Sequence, residues 1–230
     1  MPNHRRVISI IFLSFFFLSA PVVFAQAPEK KIALTFDDGP YGEPTTEVLD
    51  ILKKENVHAT FFLIGKNVEK YPEIVRAIIE NGNVIGNHTY DHPKNLVSFS
   101  DLDFKNELSK TESVIFSAAR IQPVFFRAPY GRTSAAMQKE IKQEGYTLVC
   151  WNIDPIDWNY SKSPAELIVK RVLEQAKPNS IILMHDGRDQ HIGYPRDNLV
   201  KALPVIIDSL RKEGYDFVTV DEIFHKKAYK

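Results

Sequence analysis

The sequence predicts an α/β fold built on a parallel sheet, closed or slightly open as a barrel. Three observations carry this. Seven short β-rich runs alternate with helical patterns along the chain, the rhythm of repeated βα units. Glycine stands just past three helical runs, at Asn81-Gly82, Glu144-Gly145 and Glu213-Gly214, where a left-handed C-cap is needed. The acids and histidines capable of chemistry cluster after strands and not on helices, the end at which barrel enzymes assemble their sites. The alternative is a doubly wound open sheet.

The chain opens with a segment to be set aside before the fold is argued. Residues 1–25 place Arg5 and Arg6 before an uncharged run from Val7 to Ala25, with Pro21 near its end. That is the layout of a secretory signal cleaved after Ala25. An uncleaved anchor is the rival reading, since the run approaches the ~20 residues a membrane span needs.

From there each element follows in order. Ile32–Phe36 is the first strand and Glu47–Glu55 the first helix, striped by Val48, Leu49, Ile51 and Leu52. Ala59–Ile64 leads to a helix over Glu69–Glu80, whose Ile74, Ile78 and Ile79 recur at helical spacing. Asn83–Asn87 is a short strand before the longer helix Leu102–Ala119. Val124–Phe126, Thr147–Trp151, Ile181–Met184 and Phe217–Val220 complete the strands. Ala135–Glu144, Pro164–Gln175 and Leu199–Glu213 are the helices between them. With no linker or repeat after residue 31, residues 26–230 read as one domain.

Composition excludes several classes. Hydrophobic residues make up 44% and charged residues 25% of 230, values that suit a globular domain and not a disordered or multi-span membrane chain. Lys plus Arg equals Asp plus Glu at 29 each, so no basic surplus exists for phosphate, and nucleic acid is excluded as a partner. Without the leader, 27 basic residues face 29 acidic ones. Cys150, the one cysteine, can form neither an internal disulfide nor a thiolate metal cluster.

Five clusters lie just beyond strand ends. Thr35-Phe36-Asp37-Asp38-Gly39-Pro40 sets two adjacent carboxylates at a sharp turn; alone, it reads equally well as a solvated turn. His88 and His92 follow the third strand four residues apart, so one helical turn would put both imidazoles on one face. Two imidazoles and a carboxylate make a usual catalytic zinc set with one open position; surface histidines are the plain alternative. Arg127 follows directly on the apolar Phe125-Phe126 and needs a carboxylate partner. Trp151 and Trp158, the chain's two tryptophans, flank Asp154 and Asp157. His185 ends an apolar strand, at Leu183-Met184-His185.

Taken together, the clusters resemble the polysaccharide deacetylase family, the fourth carbohydrate-esterase family. The matching segments are TFDDGP at 35–40, HTYDH at 88–92, RAPYG at 127–131, DPIDW at 154–158 and LMH at 183–185. They occur in the family's order, and the resemblance covers residues 31 to about 225. It implies a distorted (β/α) barrel of seven to eight parallel strands. It implies that Asp38, His88 and His92 bind a divalent metal, generally zinc, and that Asp37 is the general base, held by Arg127. Tyr130 would line the cleft and offer its backbone N–H to an oxyanion. His185 would be the general acid, oriented and tuned by Asp157, with Trp158 and Leu183 shaping the groove. The stretch HDGRDQHIGYPRDN, from His185 onward, is less typical, which leaves its rim residues unassigned.

The implied activity is removal of N-acetyl groups from N-acetylglucosamine-containing glycans: peptidoglycan, chitin or chitooligosaccharide. Alternatives are an acetylxylan esterase and a catalytically silent glycan-binding barrel, although none of Asp37, Asp38, His88, His92 or His185 is missing. A different barrel metal hydrolase would want a His-x-His pair after the first strand, and Thr35–Pro40 contains no histidine. The expected protein is a secreted or periplasmic cell-envelope monomer, with a glycan partner and no membrane insertion once the signal is cleaved.

Overall fold

Residues 29–187 and 196–230 are described by a computed structural model. The expected signal at 1–25 lies outside the described residues. Among those described, no helix is long and apolar enough to cross a membrane.

The strands are β1 (Lys31–Gly39), β2 (Thr60–Leu63), β3 (Val84–Asn87), β4 (Phe125–Phe126), β5 (Thr147–Leu148), β6 (Ser180–His185) and β7 (Asp216–Phe217). The helices are α1 (Gly42–Glu55), α2 (Gly65–Lys70), α3 (Pro72–Glu80), α4 (Asp101–Ala119), α5 (Ala135–Gln143), α6 (Ala165–Gln175), α7 (Asp197–Lys212) and α8 (Val220–Phe224). The sheet runs β5-β4-β3-β2-β1-β6, with β7 added on β1, and every named pairing is parallel. Ile32 pairs with both Ser180 of β6 and Phe217 of β7, so β7 must share the β2 edge of β1, below β2.

The expected barrel is present in half-closed form. Its gap lies between β5 and β6, and the chain leaving β5 partly spans it. Ile153 forms a parallel bridge to Ile182, and Leu183 N–H donates to Ile153 O at 2.9 Å.

Strand alternation separates helix-facing from site-facing side chains. Ile32, Leu34 and Phe36 of β1, Phe61 and Leu63 of β2, and Ile182 and Met184 of β6 pack with Val48, Leu52, Ile78 and Leu203 of the helices. The intervening Ala33, Phe62 and Ile181 join Val84, Phe125 and Val220 in a separate apolar floor on the other face. Climbing that face, β1 presents Ala33, Thr35 and Asp37 in register with Ile181, Leu183 and His185 of β6. Polarity therefore rises toward the strand C-termini.

Four departures from the expected elements have a local reason. The first helix starts at Gly42 and not Glu47, because Pro44 falls in its first turn, where an N–H has no intrahelical acceptor anyway. The helix expected over 69–80 is two. Tyr71 (φ −132°, ψ 54°) separates α2 from α3, which begins at Pro72, and a residue before proline avoids the helical region. The strand expected to Trp151 ends at Leu148, because the chain then swings toward β6. The last strand stops at Phe217, since Thr219 and Glu222 form a capping box and Val220 opens α8. The three predicted glycine caps carry the positive φ expected of them, at 77°, 80° and 83° for Gly82, Gly145 and Gly214.

Candidate active site

Asp37 and Asp38 are neighbours in a strand, and plain alternation would send them to opposite faces. A register shift between Asp37 and Gly39 against β2 prevents this. Asp38 is the extra residue, at φ 72°, and the bulge turns both carboxylates into one cleft. The carbonyl of Asp38 accepts from Asn67 Nδ2 at 2.7 Å. Gly187 presses on the other side, where a Cβ would stand 1.9 Å from that same oxygen; only glycine fits there.

Asp37 is held by a buried cation. Arg127 has no exposed surface, lies 4.1 Å from the Phe62 ring centroid, and donates Nη1 to Asp37 Oδ1 at 2.7 Å. The same nitrogen donates to Thr35 Oγ1 at 2.7 Å. Thr35 in turn donates to Ile182 O at 2.6 Å. Burial lowers the guanidinium pKa, and the Asp37 carboxylate opposes that loss. Such a pair is costly to break from one side.

The histidines come together through an irregular loop, not the helical turn their spacing allows. Thr89 and His92 have φ of 68° and 52°. The imidazole centroids nevertheless lie 4.9 Å apart. His88 Nδ1 is 2.8 Å from the carbonyl oxygen of Arg127, which can only accept, so Nδ1 carries the proton. A neutral His88 then turns the lone pair of Nε2 toward Asp38 Oδ1, 3.5 Å away. His92 Nε2 is 3.3 Å from the same oxygen. That oxygen is buried without a hydrogen-bond partner. Burial alone would raise the Asp38 pKa; when the surrounding imidazoles are protonated, a hydrogen bond from His88 and the charges of His92 and His185 pull it well below the usual carboxylate range. One carboxylate oxygen and two imidazole nitrogens within 4.8 Å of one another fit a divalent cation at 2.0–2.2 Å from each ligand. The donor set suits a metal; facing lone pairs without a cation or proton between them would repel.

Opposite stands His185. Its Nδ1 lies 2.9 Å from Asp157 Oδ1, and its backbone N–H donates to Asp157 Oδ2 at 2.9 Å, so one buried carboxylate fixes both strand end and ring. Burial would lower the imidazole pKa, but the Asp157 charge and hydrogen bond outweigh it, and the group is pushed up to about 9. Tyr130 (φ 57°) sets its ring centroid 4.7 Å from that of His92. Trp158 is 40% exposed, as is Tyr130. With Leu183 they line a cleft of about 320 Å³ that also holds Asp37, Asp38, His88, His92 and His185.

Every residue implied by the resemblance thus lies in, or directly braces, this cleft. Three further groups lie in or beside the cleft without belonging to the set that the resemblance implies. Trp151 lines the wall with its ring 5.5 Å from the Arg127 guanidinium. Arg196 also lines the cleft and donates Nε and Nη2 to Gly187 O at 2.8 and 2.6 Å. Asp186 accepts from Thr45 Oγ1 at 2.6 Å, and burial, partly offset by that bond, pushes its pKa up to about 7. Arg196 falls in the atypical stretch after His185, where the pattern assigned no residue.

Comparison with known proteins agrees with this geometry. Residues 25–149 match the family described as polysaccharide deacetylase. A peptidoglycan-N-acetylglucosamine deacetylase of Bacillus cereus is 41% identical over 194 residues, 84% of this chain and 68% of that protein. PgdA of Listeria monocytogenes, also a peptidoglycan-N-acetylglucosamine deacetylase, is 35% identical over 210 residues; the match covers 91% of this chain and 42% of PgdA. The solved structure of the Bc1960 peptidoglycan N-acetylglucosamine deacetylase superposes with a TM-score of 0.81 at 38% identity, over 88% of this chain and 92% of that one. Half-barrel, strand-end site and sequence match lead to one conclusion: the chain belongs to the polysaccharide deacetylase family.

Proposed function

We propose that this protein is a metal-dependent hydrolase that removes N-acetyl groups from N-acetylglucosamine-containing glycans. The observation that carries the reading is the division of labour in the cleft. Asp38 is grouped with two imidazoles, its neighbour Asp37 is bonded to Arg127, and His185 is paired with Asp157. Asp38, His88 and His92 would hold the cation, for which zinc is the first candidate. Bound there, it supplies Lewis acidity toward a carbonyl oxygen and toward water.

The protein's own groups do the rest. Asp37 takes a proton from water as its oxygen attacks the acetyl carbon, and Arg127 keeps that carboxylate aimed. Charge grows on the former carbonyl oxygen, where the Tyr130 backbone N–H would donate, and preorganised donors contribute most at such a point. As the C–N bond breaks, His185 delivers its proton to the departing nitrogen, leaving acetate and a free amine. Asp157 accepts the Nδ1 proton of the imidazolium, which leaves the Nε2 proton as the one to give. Leu183 closes the apolar side of the acetyl pocket. Residues 1–25 serve as an export signal, and the enzyme acts in the cell envelope or outside it as a monomer.

Acetate release from peptidoglycan, N-acetylchitooligosaccharides and acetylxylan, assayed side by side, tests the reading. Release from the first two above that from acetylxylan is expected. Preference for acetylxylan would make the protein an esterase, and release from none would make it a binding barrel.

Trp158 offers an exposed aromatic face for a sugar ring. Trp158→Ala is expected to raise KM for a polymeric substrate while leaving thermal stability within about 1 kcal/mol, as for a non-core change. A loss of several kcal/mol in thermal denaturation would instead give Trp158 a packing role.

A further inference from the structure

One buried carboxylate braces the site without entering the reaction. Glu107 lies on the face of α4 that buries Phe104, Leu108, Thr111 and Ile115. Its Oε2 accepts two consecutive backbone N–H groups, from Tyr90 at 2.8 Å and Asp91 at 2.9 Å. Burial raises its pKa, and those two bonds work against the rise.

Both amides belong to the loop that runs from His88 to His92. That loop has no helical or strand ladder, so its N–H groups need other acceptors. Thr89 N–H donates to Asn87 Oδ1 at 2.9 Å and His92 N–H to Thr89 Oγ1 at 3.1 Å. Those acceptors are local to the loop. Glu107 reaches the two middle amides from another element. On the opposite side the carbonyls of Thr89 and Tyr90 accept from Gly65 and Lys66 N–H, at 2.9 and 3.1 Å. The loop is therefore bonded to both α2 and α4.

We propose that Glu107 is a positioning residue that sets the metal affinity of the Asp38–His88–His92 site by clamping the loop between the two histidines. The proposal rests on the metal-site reading above. Without the clamp the loop samples arrangements in which the imidazoles diverge, and binding must gather them again. Residues that orient metal ligands typically carry 10–100-fold in affinity.

The test measures Zn²⁺ affinity of the full-length protein by competition with a chromogenic chelator, with thermal melting alongside. Glu107→Ala and Glu107→Asp, the second one methylene too short to reach, are expected to weaken Zn²⁺ binding by about 10–100-fold. Glu107→Gln keeps an oxygen for both amides and should stay within about threefold of wild type, a rescue that reports geometry and not packing. His88→Ala is the reference that loses a ligand outright. If Glu107→Ala and Glu107→Asp bind like wild type while His88→Ala does not, Glu107 has no such role and the metal site stands. Loss in Glu107→Gln equal to that in Glu107→Ala also counts against the clamp. If His88→Ala binds like wild type, the metal-site reading fails and this proposal with it.

Discussion

Replacing Asp157 by asparagine is expected to move the alkaline limb of the pH–activity profile to lower pH. The sign follows from what surrounds His185. Burial pushes the imidazole toward its neutral form, and the Asp157 charge and hydrogen bond more than reverse this; Asp38 adds to the rise and Arg196 opposes it. A general acid must carry its proton, so wild-type turnover should hold to about pH 9 and fall above it, as the raised imidazole deprotonates. Asp157→Asn removes the charge while burial remains, so the proton would be lost at lower pH. An amide also presents a donor where the ring presents one, which disturbs the tautomer. His185→Ala removes the acid altogether and should cost about 10²–10⁴-fold in turnover. Profiles of kcat against pH for the three proteins check this. Superposed profiles for wild type and Asp157→Asn would mean that Asp157 does not tune the acid, and near-normal turnover in His185→Ala would place the acid elsewhere.

Most of the sheet and the principal site residues were legible in the sequence because both rest on local chemistry. Apolar runs specified Ile32–Phe36 and Ile181–Met184, and at their C-terminal ends the strands run on into the polar candidates, Asp37 and Asp38 in β1 and His185 in β6. The spacing of His88 and His92 indicated proximity but not its means. The sequence suggested a helical turn, whereas the imidazoles converge through a loop whose amides are satisfied by side chains from as far away as α4. Glu107 left a trace. It stands three residues after Phe104 and four before Thr111, on the buried stripe of α4, where an acid needs a partner. Arg196 left none, since its bonds to Gly187 depend on how the chain returns after β6. The bulge at Asp38 was equally hidden, being a property of pairing with β2. The early end of β5 likewise reflects competition with β6 for the chain that follows it.

That bulge makes the largest predicted difference between neighbouring residues. Asp37 and Asp38 share a cleft, and both approach His88 Nε2, at 3.6 and 3.5 Å, but their other partners differ. Asp37 Oδ1 faces the Arg127 guanidinium, whereas Asp38 Oδ1 faces two imidazole nitrogens at 3.5 and 3.3 Å. Asparagine at 37 keeps an oxygen for Arg127 and leaves Asp38, His88 and His92 in place. Alanine there would strand a buried guanidinium, at a cost of about 3–5 kcal/mol, and would confuse stability with catalysis. Asp37→Asn should therefore retain near-stoichiometric metal and lose about 10²–10⁴-fold in turnover, the usual contribution of a positioned base. Asp38→Asn removes a charged ligand and should lose metal and activity together. Asp154, the other acid on the cleft wall, already accepts from Ile156 N–H at 2.7 Å, which ties one of its oxygens to its own turn.

Metal content by elemental analysis, read beside acetate release from an N-acetylchitooligosaccharide for wild type, Asp37→Asn and Asp38→Asn at one pH, tests the central claim most directly. The predicted result is metal in wild type and Asp37→Asn, little in Asp38→Asn, and full turnover in wild type alone. Equal metal loss in both variants, or near-normal turnover in Asp37→Asn, would contradict it.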